Sequence, residues 1–358
     1  MLGCKASGDM GPTGRMEPVK AVPAWWILSA VFLVGVVLAG ASCEDRGSRR
    51  EVVLYCSVDQ AIAEPIIAEF EKQSGIKVLA RYDTEASKTV GLVQSIRAQA
   101  GAPTADVFWS SEVFHTIRLA REGLLSPYRS GATTDWPAGF ADLNGCWYGF
   151  ALRGRVIGYN TNRLSPAEAP QSLEEVLDAK WKGRLVMASP AFGTTGGDVA
   201  SWFAHYGADR AREILRQLHA NDVRIVSGNS TAVRMIATGQ ADICFTDTDD
   251  IYAGQRNGWP VAMNFLDQGA DGVLAIPNTA AMIRGGPHPK AARTLMNFLF
   301  SEKLERLLVE TDSHNSPIHP TVASDHPQYA IRNALPVDYG DVADCLPMAI
   351  ESAKEILR

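Results

Sequence analysis

The fold of this 358-residue chain is decided by three short apolar stretches: Val52-Val-Leu-Tyr-Cys56, Ile76-Lys-Val-Leu-Ala80 and Ala105-Asp-Val-Phe-Trp109. A helical pattern follows each of them, over residues 61–74, 87–100 and 112–122. Short apolar strands that alternate with helices predict an α/β fold with a parallel, doubly wound sheet. In such a sheet, ligands bind on the loops at the carboxyl ends of the strands.

A second α/β set begins near Trp147 and extends the same alternation. Residues 149–152 and 156–159 predict two adjacent strands. Further strands are expected at 182–187, 223–226 and 241–245, separated by helices. Extended segments are predicted at 261–265 and 272–276. Helices are predicted after them at 290–300, 302–310 and 342–358. The chain thus leaves the first sheet near Trp147 and returns near Phe265.

An uncharged, mostly apolar run from Ala21 to Ser42 precedes Cys43. Bases precede the run and small residues close it, an arrangement typical of an export signal over residues 1–42. Gly40 stands where a lipoprotein signal prefers a Leu-like residue, and the run is also long enough to cross a bilayer. A lipid on Cys43, a helical anchor and a released chain therefore all stay open. Each alternative places the rest of the chain outside the cytoplasm, in the periplasm or at the cell surface, behind a tether at 43–50.

Composition indicates a soluble globular protein: 46% of the residues are hydrophobic, 21% are charged and the formal net charge is −6. The acidic balance disfavours nucleic acid as a partner.

Cys56 and Cys244 fall within strand patterns and are expected to be buried. No nucleophile elbow, H-E-x-x-H motif or phosphate loop occurs in the sequence, so we expect no catalysis and no catalytic cofactor.

Seven stretches, in order along most of the chain, resemble the extracellular solute-binding proteins of bacterial ferric-ion ABC importers, the ferric-binding branch of the type II periplasmic binding fold. They are Leu54-Tyr-Cys-Ser-Val-Asp59, Ser74-Gly-Ile-Lys-Val78, Ala105-Asp-Val-Phe108, Trp147-Tyr-Gly-Phe-Ala-Leu-Arg-Gly-Arg-Val-Ile-Gly-Tyr-Asn160, Ala179-Lys-Trp-Lys-Gly-Arg-Leu185, Gly239-Gln-Ala-Asp-Ile243 and His288-Pro-Lys-Ala-Ala292. The resemblance implies two α/β lobes with a ligand cleft between them. Lobe 1 would comprise residues 51–147 plus 266–358, and lobe 2 residues 148–265. The family also implies a monomer that closes over one ligand and delivers it to ABC permease subunits in the membrane.

The resemblance also implies a metal site. Ferric-binding proteins typically hold iron with a His after the first strand, a Glu after the second and a Tyr pair in the second lobe. These positions correspond to Asp59, Glu85, Asp249 and Asp250, so tyrosinate is absent. Carboxylates are hard oxygen ligands, suited to iron(III) and other hard cations. Four of them in one cleft would repel each other, so the site needs a cation, either a metal or an organic ammonium group.

The resemblance also implies an anion site, because the family binds an anion such as carbonate or phosphate beside the metal. Small polar residues of this chain are candidates to bind it. They stand at helix starts, where backbone amides attract anions; the candidates are Gly193, Thr194, Thr195, Asn229, Ser230 and Thr231. N-capping is the alternative reading, above all for Ser230. Arg153 would hold the anion or form a hinge salt bridge, and Asp247 would add an acid or cap a helix. Ser110 and Ser111 follow the third strand and should line the same cleft.

These residues are compatible with three functions. The first is the solute-binding component of an ABC importer that captures a metal ion, iron(III) above all. The second is a binding protein for a cationic or zwitterionic organic solute such as an aminophosphonate. The third is a metal-dependent hydrolase built on the same scaffold.

Overall fold

The computed structural model describes residues 50–83 and 89–358. The predicted export segment, the lipid attachment at Cys43 and the candidate ligand Glu85 lie outside these residues. Within the described ranges, none of the helices combines the length and the apolar composition that a membrane crossing requires.

Ten strands and twelve α-helices form within the described residues. The strands are β1 (Glu51–Cys56), β2 (Lys77–Tyr82), β3 (Val107–Ser110), β4 (Leu125–Ser126), β5 (Tyr148–Asn160), β6 (Leu185–Ala188), β7 (Arg224–Val226), β8 (Ile243–Asp247), β9 (Val261–Asn264) and β10 (Ala275–Ile283). The helices are α1 (Gln60–Ser74), α2 (Val90–Ala98), α3 (Phe114–Arg121), α4 (Leu173–Val176), α5 (Gly193–Tyr206), α6 (Ala208–Ala220), α7 (Asn229–Ala237), α8 (Thr248–Arg256), α9 (Pro289–Leu299), α10 (Glu302–Glu310), α11 (Pro320–Asp325) and α12 (Tyr339–Ile356).

The first section of the sheet has the parallel order β2-β1-β3 predicted from the three apolar stretches. The local signals behave as expected: α1 ends at Ser74, and Gly75 takes the left-handed conformation at φ 65°. Strand β10 then pairs antiparallel with β3, so the sheet is mixed rather than wholly parallel. The side chains of Cys56 and Cys244 are fully buried, in β1 and β8, as predicted.

Strand β5 connects this first section to a second one. Its residues 148–154 pair with β10, whereas residues 155–160 pair with β8 and β9, and β6 joins β8 and β7 in parallel. The prediction of two adjacent strands here was wrong, because one strand runs through all thirteen residues. The polar triplet Arg153-Gly154-Arg155 resembled a break between apolar runs. Both arginines are in fact buried and ion-paired, so the strand continues through them.

An irregularity fixes the path of β5 just before these arginines. Ala151 has a left-handed backbone (φ 46°), and the pairing register with β10 shifts between Pro277 and Asn278. Asn278 Nδ2 donates to the carbonyl oxygen of Ala151 at 2.6 Å, and the Ala151 amide donates to Glu305 Oε1 at 2.8 Å. Glu305 is buried on α10, so a helix far along the sequence holds the bend in place.

Candidate ligand cleft

A solvent-open recess of about 460 Å³ lies where the two sections of the sheet meet. Its walls come from the residues that follow β1, β3, β6, β7 and β8, and from the first turns of α5, α7 and α8. This is the edge at which the strand order of an α/β sheet predicts a ligand site.

Ten of the residues selected from the sequence line this cleft. They are Asp59, Ser111, Arg153, Gly193, Thr194, Thr195, Asn229, Asp247, Asp249 and Asp250. Ser110, Ser230 and Thr231 are not among the lining residues. The side chain of Ser110 is buried and donates to Glu112 at 3.4 Å. Ser230 does not cap α7, because that helix begins one residue earlier, at Asn229, with Gly228 as its N-cap.

Sequence reasoning missed five lining residues: Ala188, Ser189, Phe192, Ser227 and Gly228. Ser189 directly follows β6, and Ser227 directly follows β7. The strand-end argument that selected Asp59 and Ser111 applies equally to these serines, so the signal was present in the sequence.

Asp247 accepts three side-chain hydrogen bonds through its two carboxylate oxygens. Its Oδ1 accepts from Arg155 Nη1 at 2.7 Å, and its Oδ2 accepts from Thr194 Oγ1 at 2.5 Å and from Asn229 Nδ2 at 2.9 Å. It stands at the N-cap of α8, but its side chain caps no amide of that helix. Asp247 therefore ties together β5, α5 and α7 beneath the cleft.

Arg155 is the second member of this buried network. Its Nε donates to Asp198 Oδ2 at 3.0 Å, so the guanidinium lies between two carboxylates. The negative charges of Asp247 and Asp198 raise the pKa of Arg155 although burial opposes them. Burial raises the pKa of Asp198, against the opposing charge of Arg155.

Arg153 occupies the cleft wall itself. Its Nη1 lies 3.2 Å from Asp249 Oδ2, and both side chains are over nine-tenths buried. Burial alone would lower the pKa of Arg153, but the charges of Asp249, Asp247, Asp59 and Asp250 raise it. One guanidinium is thus surrounded by four carboxylates, which makes this wall of the cleft strongly acidic.

Asp247, Asp249 and Asp250 approach one another closely. Each offers a carboxylate oxygen within 4.8 Å of the others, a spacing compatible with ligands of one metal ion. Thr246 Oγ1 donates to Asp250 Oδ2 at 3.3 Å and so orients that carboxylate. Among the described residues that line the cleft, none is a tyrosine or a histidine.

Two helix starts lie beside Asp247 in the cleft. Helices α5 and α7 begin at Gly193 and Asn229, and their N-cap residues, Phe192 and Gly228, supply no side-chain cap. Thr195 Oγ1 donates to Asn229 Oδ1 at 3.2 Å, which holds the two helix starts together. Backbone amides at adjacent helix N-termini form an environment that favours negative charge.

Comparison with known proteins places this architecture in a family. Residues 57–305, well over half of the chain, match the family of bacterial extracellular solute-binding proteins. The iron uptake protein A1 of Synechocystis is 25% identical over 293 residues, which span 78% of this chain and 80% of that protein. A periplasmic protein of Salmonella typhimurium, provisionally named for 2-aminoethylphosphonate binding, is 26% identical over 273 residues (74% of this chain and 76% of that one).

Solved structures agree on the fold. Iron-bound HitA from Pseudomonas aeruginosa superposes with a TM-score of 0.75 at 23% identity, over 84% of this chain and 99% of that chain. The chain therefore belongs to the bacterial extracellular solute-binding protein family. It has the periplasmic binding protein fold, as the sequence predicted.

Proposed function

We propose that this chain is the solute-binding component of an ABC importer and that its cargo in the cleft is iron(III). It captures the ion outside the cytoplasm and passes it to permease subunits in the membrane. No catalytic step is part of this function. The proposal rests on the family, on the iron-binding relatives and on the chemistry of the cleft described above.

The charge of the cleft is the observation that carries the proposal. Four acids of the cleft, Asp59, Asp247, Asp249 and Asp250, surround the guanidinium of Arg153. The formal excess is three negative charges, which a trivalent cation would neutralise. Grouped carboxylates of this kind repel one another unless a cation lies between them, and carboxylate oxygens are ligands suited to hard ions.

The acids of the cleft are held in place by their neighbours. Asp247 accepts three hydrogen bonds, Asp249 pairs with Arg153, and Asp250 accepts from Thr246. Asp59, Glu85, Asp249 and Asp250 would coordinate the cation directly, and Asp247 would add negative charge beside them. A synergistic anion such as carbonate or phosphate would lie at the starts of α5 and α7, within reach of Thr194, Thr195 and Arg153.

The wider arrangement follows from the fold. We propose that residues 51–147 plus 266–358 form one lobe and residues 148–265 the other, with the cleft closing between them. The chain would act as a monomer, attached to the membrane through a lipid on Cys43 or through the N-terminal apolar segment.

A second candidate cargo is a zwitterionic aminophosphonate. The observation that favours it is the presence of an acidic wall, two helix N-termini and Arg153 in one recess. The acids would bind the ammonium group, and the helix starts would bind the phosphonate. The Salmonella typhimurium relative is provisionally named for a ligand of this kind.

A thermal-shift titration of the purified protein distinguishes the two. Iron(III) supplied as its citrate complex, with and without carbonate or phosphate, is compared with 2-aminoethylphosphonate and with citrate alone. Cargo present at about 100 times its Kd should stabilise the folded state by about 2.7 kcal/mol. A shift with iron that a strong chelator reverses supports the metal, whereas a shift with the aminophosphonate alone would overturn it.

A further inference from the structure

The carboxylate of Asp247 occupies hydrogen-bond donors at two helix starts. Its Oδ2 accepts from Thr194 Oγ1 at 2.5 Å and from Asn229 Nδ2 at 2.9 Å. Thr194 lies in the first turn of α5, and Asn229 is the first residue of α7. Helix N-termini are places where an external oxyanion would otherwise bind. Two side-chain donors of this environment are therefore engaged by an acid of the chain itself.

A buried ion pair keeps this carboxylate in position. The other oxygen of Asp247, Oδ1, lies 2.7 Å from Arg155 Nη1, and Arg155 Nε lies 3.0 Å from Asp198 Oδ2. The side chains of Asp247 and Arg155 are only 2% and 4% exposed. Separating one partner from a buried pair is strongly unfavourable, because it leaves a charge uncompensated and away from water. Displacement of Asp247 by an external anion is unfavourable for the same reason.

The same carboxylate lies close enough to act on a cation in the cleft. One of its oxygens is within 4.8 Å of carboxylate oxygens of Asp249 and Asp250. At such distances a cation is attracted, whereas a further anion is repelled by all three acids. Asp247 thus combines two properties of a synergistic anion: a negative charge beside the cation and hydrogen bonds to donors at helix starts.

We propose that Asp247 serves as a built-in synergistic anion, so that the cleft binds iron(III) almost independently of carbonate and phosphate. The inference rests on iron(III) being the cargo, as proposed above. Asp247 then determines specificity, because it favours the cation alone over a cation paired with an oxyanion. An added anion could still contact Thr195 and Arg153, which line the cleft, but it would repeat a charge that the protein already supplies.

Iron loading of the full-length protein, in the absence and presence of anions, tests the proposal. Iron(III) is supplied as its nitrilotriacetate complex in carbonate-free buffer, alone or with phosphate or bicarbonate, and competition with the chelator gives the affinity. Neither anion should raise that affinity by more than about threefold. Native mass spectrometry should show iron bound without phosphate, carbonate or chelator. A larger gain with either anion, or an anion or chelator retained with the iron, would overturn the inference.

Asp247→Asn separates the charge of this residue from its shape. The amide oxygen of Asn can still accept a hydrogen bond, whereas the negative charge is lost. In anion-free buffer the iron affinity should fall about tenfold or more, and phosphate or bicarbonate should restore much of it. A purely structural residue would show no such rescue, so a loss that neither anion restores would contradict the proposal. Asp344→Asn, at an exposed ion pair with Arg121, is the matched control and should behave as the wild type does.

The outcomes also separate this inference from the proposed cargo. Iron that fails to bind under every condition would overturn both. Iron that binds only with an anion would overturn the inference and leave the cargo as proposed. The wild-type comparison needs no variant, so the test is decisive even where Asp247→Asn does not fold.

Discussion

Arg153 and Asp249 form a buried ion pair in one wall of the cleft, with Nη1 and Oδ2 3.2 Å apart. Arg153 lies on the strand that runs through both sections of the sheet, and Asp249 lies in the first turn of α8. The pair therefore connects the backbone of the fold to the helix that carries the candidate ligands. It also places a fixed positive charge where a cargo cation would have to bind.

Arg153→Gln should lower the free energy of unfolding of the empty protein and raise its affinity for a metal cation. Loss of the guanidinium leaves the Asp249 carboxylate buried without its counter-charge, which typically costs about 3–5 kcal/mol. A bound cation would replace that charge. Denaturant unfolding with and without iron(III) measures both effects.

The control for this variant is Arg256→Gln, which removes an exposed ion pair with Asp312. Exposed pairs contribute only about 0–1 kcal/mol, so stability should hardly change. If Arg153→Gln binds metal less well than the wild type, Arg153 supports the cargo through an anion rather than competing with it.

Asp250→Asn should reduce metal affinity by about tenfold or more without unfolding the protein. The amide oxygen of Asn can still accept from Thr246, whereas the negative charge and one metal-binding oxygen are lost. Asp344→Asn, at an exposed ion pair with Arg121, is the matched control and should bind normally. Isothermal titration calorimetry provides the affinities. Equal affinities for the two variants would remove Asp250 from the ligand set.

The iron-loaded protein should lack the visible absorption band that arises from charge transfer between tyrosinate and iron(III). This follows because no tyrosine is found among the described lining residues of the cleft. An absorption spectrum of the loaded protein tests it, with the free iron complex as the blank. An intense visible band would show that a tyrosine from elsewhere in the chain enters the site.

Asp267→Asn should stabilise the protein at neutral pH, with a gain that disappears in acid. Burial raises the pKa of Asp267, and the neighbouring charges of Asp271, Glu174 and Glu175 add to this. Between the unfolded-state pKa of about 3.9 and the raised folded-state value, the folded protein binds more protons. The free energy of unfolding contributed by Asp267 therefore falls as the pH rises through that window, and Asn removes the loss.

Thermal melts from pH 3 to pH 7 test this dependence. Asp222→Asn is the matched control, because Asp222 has nearly the same left-handed backbone (φ 52° against 53°) on an exposed side chain. It reports the backbone effect of Asn together with the loss of an exposed ion pair to Lys182, which contributes only about 0–1 kcal/mol. A gain for Asp267→Asn that is constant with pH would contradict the role of burial.

Gly197→Ala should destabilise the protein by about 1–3 kcal/mol, the usual cost of overpacking. A Cβ at this position in α5 would come within 2.0 Å of the Phe114 ring on α3. Gly101→Ala is the control, because its Cβ would meet no atom within 4 Å. Urea unfolding of both variants gives the comparison. Equal stabilities would mean that the Phe114 ring moves aside freely.

The strands, the helices and the position of the cleft could be predicted because their signals are local. Apolar runs, the cap at Gly75 and the strand-end rule each depend on a few neighbouring residues. The partners of Arg155 could not be identified in this way, because Asp198 and Asp247 are 43 and 92 residues away in sequence. The same distance problem made residues 153–155 resemble a break between two strands. Sequence selected Asp247 for the cleft but could not show that three donors bind it.

The bend at Ala151 would bear on the proposed closure of the cleft. Because β5 belongs to both sections of the sheet, a change in this kink would change the angle between them. The kink in turn is held by Glu305, a carboxylate outside the cleft lining. A substitution at Glu305 on α10 could therefore change how wide the empty cleft stands. It would do so without altering any side chain that lines the cleft.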